Sequence, residues 1–274
     1  MNKLLVGFAV LVVVIVAALL IGPSFVNWND HKAEIIAAVR DATGRELTID
    51  GNISLKIIPA PALSVQDVSL AGPRGIVGPP MLRLKTLEVR VALAPLISGE
   101  IQVTSVRLIK PQLLLEVMAD GSTNWQFDAA GDGASSDVGN DVGKDAAGLE
   151  LSLDKLTIED GSVIYRDHGA GTEERLEALN LDGSAASLRG PFRFTGSAIG
   201  RMAAGELPFN FDLSVDALAQ AKPLGIRLAL KLAGGLAEAT FSGRLQDREK
   251  APRLIGQLDL SAKNTAALHN ILIS

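Results

Sequence analysis

The side chains that most often carry chemistry are scattered along this chain. It has three histidines, none of them spaced with other metal ligands: His31, His168 and His269. Four carboxylates of the second half fall at turns or on polar faces, where solvated charge is expected: Asp154, Glu159, Asp160 and Asp167. No nucleophile elbow, zinc-protease or Walker motif occurs, and the absence of cysteine excludes disulfides and thiolate ligands. We therefore expect no catalytic residue, no metal site, no cofactor and no enzymatic activity.

Two further segments could in principle bind an ion. The glycine-rich stretch 72–80, GPRGIVGPP, suggests a phosphate cradle, but it lacks the GK[ST] ending and no helical pattern follows it, so we interpret it as a loop. The stretch 128–148, DAAGDGASSDVGNDVGKDAAG, has five Gly and five Asp against one Lys, without the spacing of a calcium loop. Such a segment buries too little apolar surface to offset the entropy of ordering, so we expect a flexible acidic linker.

The composition narrows the class of partner. Hydrophobic residues make up 47% of the 274 residues and aromatic residues only 4%, so the apolar content is almost wholly aliphatic. Nucleic-acid binding relies on basic surface and often on aromatic platforms, and the net charge of −5 argues against it. We expect no nucleic-acid partner.

The N-terminal segment 1–22 predicts a transmembrane anchor. Residues 4–21 form a run of 18 residues without a charge, and a helix of that length spans about 27 Å, close to the hydrocarbon core of a bilayer. A cleaved signal peptide is the alternative, but it usually has a more basic start, a shorter apolar run and a small-x-small cleavage site. The expected anchor residues are Leu4, Phe8, Val12, Ile15 and Leu19, with Trp28 at headgroup level.

The charges beside this run predict its orientation. Lys3 is the only cation before the run, whereas Asp30 follows it. The positive-inside bias therefore predicts a single-pass protein with its N-terminus in the cytoplasm and its body on the far side of the membrane.

The region 23–127 is expected to begin with a short helix and to continue as strands. Apolar residues of Asp30–Thr43 have helical spacing, with Asp30 as the expected N-cap and Gly44 as the residue that ends the helix. We expect this helix to pack on the following sheet; the alternative is that it closes the mouth of a groove. The expected strands are Leu47–Ile49, Ile53–Ile57, Leu63–Leu70, Leu82–Val91, Glu100–Leu108 and Gln112–Val117.

The region 149–274 contains the clearest strand pattern. In 207–215 and 224–232 apolar and other residues alternate, which predicts two strands with one apolar face each. The first apolar stripe consists of Leu207, Phe209, Phe211, Leu213 and Val215, and the second of Leu224, Ile226, Leu228, Leu230 and Leu232. The same alternation fits an open face that contacts a ligand and a dry core between two sheets.

An internal repeat links the two regions. Residues 103–115 superpose on 153–165 at an offset of 50, with matching residues at six positions. A shorter pattern, apolar at i, i+3 and i+5, recurs at Val65/Val68/Leu70 and at Leu176/Leu179/Leu181. The step of three residues from i to i+3 breaks the period of two of a regular strand and so inverts the side-chain phase, which predicts a bulge or kink. Repetition across the acidic segment suggests a stack of similar elements more than two unrelated domains.

Several groups of residues, taken in order, resemble the AsmA family. The first half has Thr43, Gly44 and Arg45 after the helix, then Asp50 and Gly51, and a strand that ends at Pro59. The stretch 93–127 is similar to the most recognisable part of the family, through Pro95, Leu96, Gly99, Pro111, Asp120, Gly121, Asn124 and Trp125. The segments 156–167 and 176–198 are also similar, so the resemblance covers nearly the whole chain.

The resemblance implies a periplasmic protein anchored in the inner membrane of Gram-negative bacteria and linked to outer-membrane biogenesis. It implies a mostly β fold similar to chorein-type bridge-like lipid transfer proteins, in which an elongated, curved antiparallel sheet forms an open groove for phospholipid acyl chains. The two stripes at 207–215 and 224–232 are then the expected lipid contacts. Family members usually run past this length, so we expect a short member or a fragment.

Two other functions fit the same residues. The chain could be a tethered scaffold or regulator of outer-membrane protein assembly and targeting, acting through protein contacts without lipid transport. It could also be a tethered β-sandwich with a dry core. An open apolar face distinguishes the first hypothesis from the sandwich.

We predict that deletion of residues 1–22 releases the body from membranes without unfolding it, because the uncharged run 4–21 is the expected anchor. The measurement is fractionation of both forms after an alkaline carbonate wash. If the intact protein is itself removed by carbonate, the anchor hypothesis is wrong.

We also predict that limited proteolysis cuts first within 128–148, at the same rate with and without chelator. Protection of this segment by millimolar calcium would instead indicate a metal site.

Overall fold

The chain is described here from a computed structural model. The structure describes residues 27–57, 60–73, 78–97, 102–125, 153–185, 187, 190–202, 205–217, 223–246 and 253–263. The expected anchor at 1–22 and the expected linker at 128–148 lie outside these residues. Of the helices that the structure describes, none has the length and apolar character needed to cross a membrane.

A short helical region opens the described chain. A 3₁₀ helix, Trp28–His31, leads into helix α1, Lys32–Thr43. The expectation that Asp30 caps the helix is wrong, because Asp30 lies inside the 3₁₀ helix that precedes α1. Asn27 caps this 3₁₀ helix, and its side chain accepts a hydrogen bond from the Asn29 amide at 3.3 Å. Gly44 ends α1 as predicted, in the left-handed conformation at φ 68°, and donates to the Arg40 carbonyl at 2.8 Å.

Within the described residues, thirteen strands follow, with two short helical pieces among them. The strands are β1 Leu47–Ile49, β2 Ile53–Lys56, β3 Ala62–Leu70, β4 Leu82–Val91, β5 Val103–Ile109, β6 Gln112–Val117, β7 Leu153–Asp167, β8 Thr172–Ala185, β9 Phe192–Met202, β10 Gly205–Val215, β11 Leu224–Leu232, β12 Ala237–Gln246 and β13 Arg253–Ala262. Helix α2, Leu93–Ile97, lies between β4 and β5, and a 3₁₀ helix, Ala233–Gly235, lies between β11 and β12. Of the glycine-rich stretch 72–80, the structure describes residues 72, 73 and 78–80, and these belong to no helix or strand.

All thirteen strands form one curved, mixed sheet. Its order is β1-β3-β4-β5-β7-β8-β9-β10-β11-β12-β13, with β2 also paired to β3 and β6 paired to both β4 and β7. A purely antiparallel sheet was expected, and this is wrong at two pairings, because β5 and β6 both run parallel to β7. The segment between Val117 and Leu153 is longer than the dozen or so residues that a parallel crossover needs.

The internal repeat coincides with this parallel pairing. Val106 pairs with Leu156 and Leu108 with Ile158 between β5 and β7, and Leu113 pairs with Val163 between β6 and β7. Each pair is separated by the offset of 50 residues found in the sequence. The two copies of the repeat therefore lie side by side in register, and strands on both sides of the acidic segment belong to one sheet.

The predicted interruptions of side-chain phase are a kink in β3 and a bulge in β8. Asp67, in the pattern Val65/Val68/Leu70, has φ 48°, and Ala178, in the pattern Leu176/Leu179/Leu181, has φ 49°. The pairing of β8 with β9 shifts between Glu177 and Asn180, so the residue that the apolar pattern skips lies outside the ladder. The pairing of β3 with β4 keeps the same register on both sides of Asp67, so this interruption is a kink, whereas the one at Ala178 is a bulge. The prediction of a bulge or kink is confirmed at both places.

The buried core lies under α1, at the start of the sheet. Its central cluster consists of Ile49, Ile53, Val65, Val68 and Leu84. Ile35 and Ile36 of α1 and Trp28 of the 3₁₀ helix pack against this cluster. The helix therefore packs on the following sheet, as we expected, and Trp28 is half-buried among these apolar side chains.

A buried polar contact joins the helix end to the β6 region. The guanidinium of Arg45, which is 4% exposed, donates to the backbone carbonyl of Asn124 at 2.9 Å. The Asn124 side chain donates to the Leu114 carbonyl at 2.8 Å and accepts from the Glu116 amide at 2.9 Å. Two parts of the family-like pattern, the arginine after the helix and the asparagine before Trp125, therefore meet in the fold.

We predict that Asn124→Ala lowers the free energy of unfolding by about 2–4 kcal/mol, because it leaves the Leu114 carbonyl and the Glu116 amide without their buried partner. Asn180→Ala is the matched control, since that asparagine is exposed while its side chain also bonds two backbone groups. Denaturant unfolding of both variants is the measurement. Equal losses for the two variants would contradict the structural role of Asn124.

Candidate functional site

The two predicted apolar stripes lie next to each other in the sheet. β10 and β11 pair so that Leu213 faces Leu228 and Phe211 faces Leu230. The same pairing brings together Phe209 with Leu232 and Val215 with Ile226. Leu207 instead pairs with Gly200 of β9, and Leu224 pairs with Leu245 of β12. Cross-strand partners share a face of a sheet, so the stripes form one surface.

This surface continues into the buried core of the first half. One row of cross-strand partners crosses eleven strands, from β2 to β13. In order, its residues are Ile53, Val65, Leu87, Leu108, Ile158, Leu181, Gly196, Phe211, Leu230, Ala239 and Leu260. We call this the apolar row. At 4.7–4.9 Å between strands, it is about 48 Å long.

The apolar row is covered at one end and exposed at the other. Ile53 is 3% exposed because the helical region packs over it, whereas Leu260 is 73% exposed. Of the ten predicted stripe residues, only Leu224 is buried, and the other nine are half-buried. Among the residues that the structure describes, no second layer of strands or helices lies across β9 to β13 beyond the short 3₁₀ helix Ala233–Gly235.

At most glycines of this face, the space that a side chain would occupy holds the ring of a nearby phenylalanine. A side chain at Gly183 would meet the Phe194 ring at 2.5 Å, and one at Gly196 would meet the Phe211 ring at 2.8 Å. Gly256 is covered in the same way by Phe241, at 2.8 Å. These glycines are needed because a neighbouring ring lies directly over the backbone, and the rings restore the apolar surface that a glycine lacks.

A pocket of about 370 Å³ opens on the same face where a glycine is not covered. Its apolar lining consists of Val163, Leu176, Gly200, Leu207, Phe209, Leu230 and Leu232. Tyr165, Glu174, Arg175 and Arg201 complete the lining. The two arginines are next to Leu176 and Gly200 in the chain, so their side chains alternate to the other face of the sheet. Five of the seven apolar residues lie on β9, β10 or β11, so part of the predicted site lines this pocket.

The other face of the sheet carries cross-strand ion pairs. Arg107 contacts Glu159 through two nitrogens at 2.9 Å, and Arg201 contacts Glu177 at 2.7 Å. Hydrogen bonds from Arg166 and Arg175 hold the pKa of Glu173 below its usual value. Exposed pairs of this kind contribute little stability, but they make this face polar and support the strand register.

The residues considered for chemistry do not converge. His31 bonds to Glu34 at the helix start, His168 bonds to Glu116 beside β7, and His269 lies outside the described residues. Glu159 pairs with Arg107, Asp160 with Lys110 at 3.5 Å, and the Asp167 carboxylate accepts from two turn amides. Within the part of the chain that the structure describes, no group of three or more His, Asp or Glu side chains is placed to hold a metal ion.

Sequence reasoning missed several residues of this face. β12 and β13 extend it through Phe241, Leu254, Leu258 and Leu260, whose period-two alternation was visible in the sequence. β9 adds Phe192 and Phe194, with rings stacked at 6.3 Å. The sequence does not indicate that Gly200 lacks a covering side chain, because this depends on which residues the neighbouring strands place beside it. The five anchor residues within 4–21 lie outside the described residues.

Comparison with known proteins gives one assignment. Searches of curated proteins and of solved structures return no significant match. The family model described as "AsmA family" matches residues 1–215, which include the helix, the Arg45–Asn124 contact and the strands through β10. The chain therefore belongs to the AsmA family.

Proposed function

We propose that this chain is a membrane-anchored periplasmic protein that holds or conducts phospholipid acyl chains along the apolar face of its sheet, and so contributes to outer-membrane biogenesis. The action is non-enzymatic and needs no cofactor. The anchor is the uncharged run 4–21, with the N-terminus in the cytoplasm of an inner membrane.

The observation that carries this proposal is the exposure of the apolar face from β9 to β13. Nine of the ten predicted contact residues are half-buried rather than packed under a second layer. Contiguous apolar surface of this extent is rare on monomeric soluble proteins and usually marks a binding site. A dry β-sandwich would bury these side chains, so the structure favours the open face over the sandwich.

The dimensions of the face suit an acyl chain. β10 and β11 have eleven and nine residues, about 36 Å and 30 Å at 3.3 Å per residue. The apolar row crosses them at right angles over about 48 Å. A chain of methylene groups can therefore stay in apolar contact along a strand or from strand to strand.

A tethered scaffold is the second candidate, and β13 favours it. All ten residues of β13 are exposed, and within the described residues this strand has one neighbour, β12. An unpaired edge of alternating apolar and polar residues can accept a strand from another protein. In this function the chain acts on outer-membrane protein assembly and targeting through protein contacts, without lipid transport.

We predict that Leu228→Asp keeps the fold but lowers the amount of bound phospholipid about tenfold, because covering a carboxylate with an acyl chain costs more than about 1.4 kcal/mol. Leu228 lies between Leu213 and Phe241 on the half-exposed face, so water can reach the new charge. The measurement is phospholipid per protein by mass spectrometry, with thermal melting of the same samples.

Ser242→Asp is the control, since Ser242 is exposed on the opposite face, between Arg227 and Gln257. It should change neither lipid nor melting temperature. A folded wild type without bound phospholipid, together with a Leu228→Asp variant that unfolds, would refute lipid holding and leave the scaffold.

A further inference from the structure

We propose that the pocket at Gly200 is a binding site for one acyl chain, so that lipid is held at a defined position beside the apolar row. The proposal rests on the lipid-holding function above and adds to it a site, a ligand class and a residue that determines its capacity. The ligand is an amphiphile that places a single hydrocarbon chain in the pocket.

Gly200 is unlike the other glycines of this face. A side chain added there would meet nothing closer than 3.8 Å, whereas at Gly183 and Gly196 it would collide with a phenylalanine ring. The nearest ring, that of Phe209, stays 3.9 Å away. The missing side chain is therefore not replaced by a neighbour, and the floor of the pocket is backbone.

The walls of the pocket set its width. Gly200 pairs with Leu176 of β8 on one side and with Leu207 of β10 on the other. The backbones of β8 and β10 are two strand spacings apart, about 10 Å. The two leucine side chains narrow this distance to a trough over β9 that fits one hydrocarbon chain and excludes two side by side.

The polarity of the pocket lining changes along the direction of the strands. Toward β11 the walls are Phe209, Leu230 and Leu232, and Leu230 belongs to the apolar row. Toward the turn between β7 and β8, the lining changes to Tyr165 and Glu174. A ligand with an apolar tail and a polar head matches this gradient, with its tail toward Leu230 and its head toward Tyr165.

The volume agrees with such an occupant. About 370 Å³ lies at the small end of the range of roughly 300–1,000 Å³ that ligand pockets occupy. A protein strand docking on this face would need backbone partners, but β8, β9 and β10 already pair with one another through these residues. We therefore assign the pocket to a hydrocarbon chain and not to an added strand.

The test is to fill the pocket. Full-length Gly200→Leu is purified from membranes beside the wild type, and both are incubated with phosphatidylethanolamine that carries a diazirine in one acyl chain. After irradiation, labelled peptides are identified by mass spectrometry. We expect labelling of Leu176, Leu207 and Phe209 to fall at least about tenfold, because each methylene group kept out of the pocket weakens binding about fourfold.

Two variants serve as controls. Thr195→Leu adds the same type of side chain to the same strand, on the exposed opposite face, and should leave labelling unchanged. Gly200→Ala adds one methyl group without a collision and should give a smaller loss than leucine. Melting temperatures near that of the wild type show that the variants fold, and Gly200→Ala keeps the test informative if leucine is not tolerated.

The outcomes separate this proposal from the general function. If Gly200→Leu loses labelling in the pocket while β13 peptides are still labelled, the result supports a defined acyl-chain site. If pocket labelling is unchanged in Gly200→Leu and this variant still binds phospholipid, the proposed acyl-chain site is wrong, and the lipid-holding function is unaffected. No labelling of the wild type overturns both.

Discussion

The parallel pairing of β5 and β6 with β7 is the interaction on which the continuity of the sheet depends. Among the described strands, those before the acidic segment and those after it meet only there. The pairing aligns Leu108 with Ile158, so the apolar row passes from the covered half to the open half. A slip of one residue would turn every apolar side chain of one half to the opposite face. The bidentate contact of Arg107 with Glu159 favours the correct register from the polar side.

The covered half and the open half differ in how they are stabilised. At the start of the sheet, α1 and Trp28 pack on a buried cluster, and Asn29 accepts from the Ile53 amide at 3.0 Å. From β9 to β13 the strands rely on ladder hydrogen bonds and on half-buried side chains. Regions with few buried apolar contacts open at lower free energy than the core. The proposed uptake and release of a hydrocarbon ligand would need this local freedom, and the covered half would supply a stable base for it.

Much of this architecture could be predicted from the sequence, because strands have a local signature. The bounds of β1, β4, β6 and β11 match the predicted segments, and Gly44 ends the helix as its position implied. The parallel pairing was not predicted, although the offset of 50 residues was visible, since a repeat does not state whether its copies pair with each other. Alternation also cannot distinguish an open face from a closed one, because both require the same period. The pocket at Gly200 depends on five strands, β7 to β11, pairing in register, which no local pattern encodes.

The composition of the open face bears on what covers it. The apolar row consists of aliphatic residues, one glycine and Phe211, without Tyr, Trp or Arg. Protein interfaces concentrate their binding energy in those three residue types, which combine apolar area with hydrogen bonds. A hydrocarbon chain offers no hydrogen-bond partner, so a surface that binds it gains nothing from polar side chains and loses affinity by desolvating them. The aliphatic row, opposite a face that carries ion pairs, therefore supports the proposal of a lipid rather than a protein on this surface. A protein strand could instead add at the β13 edge.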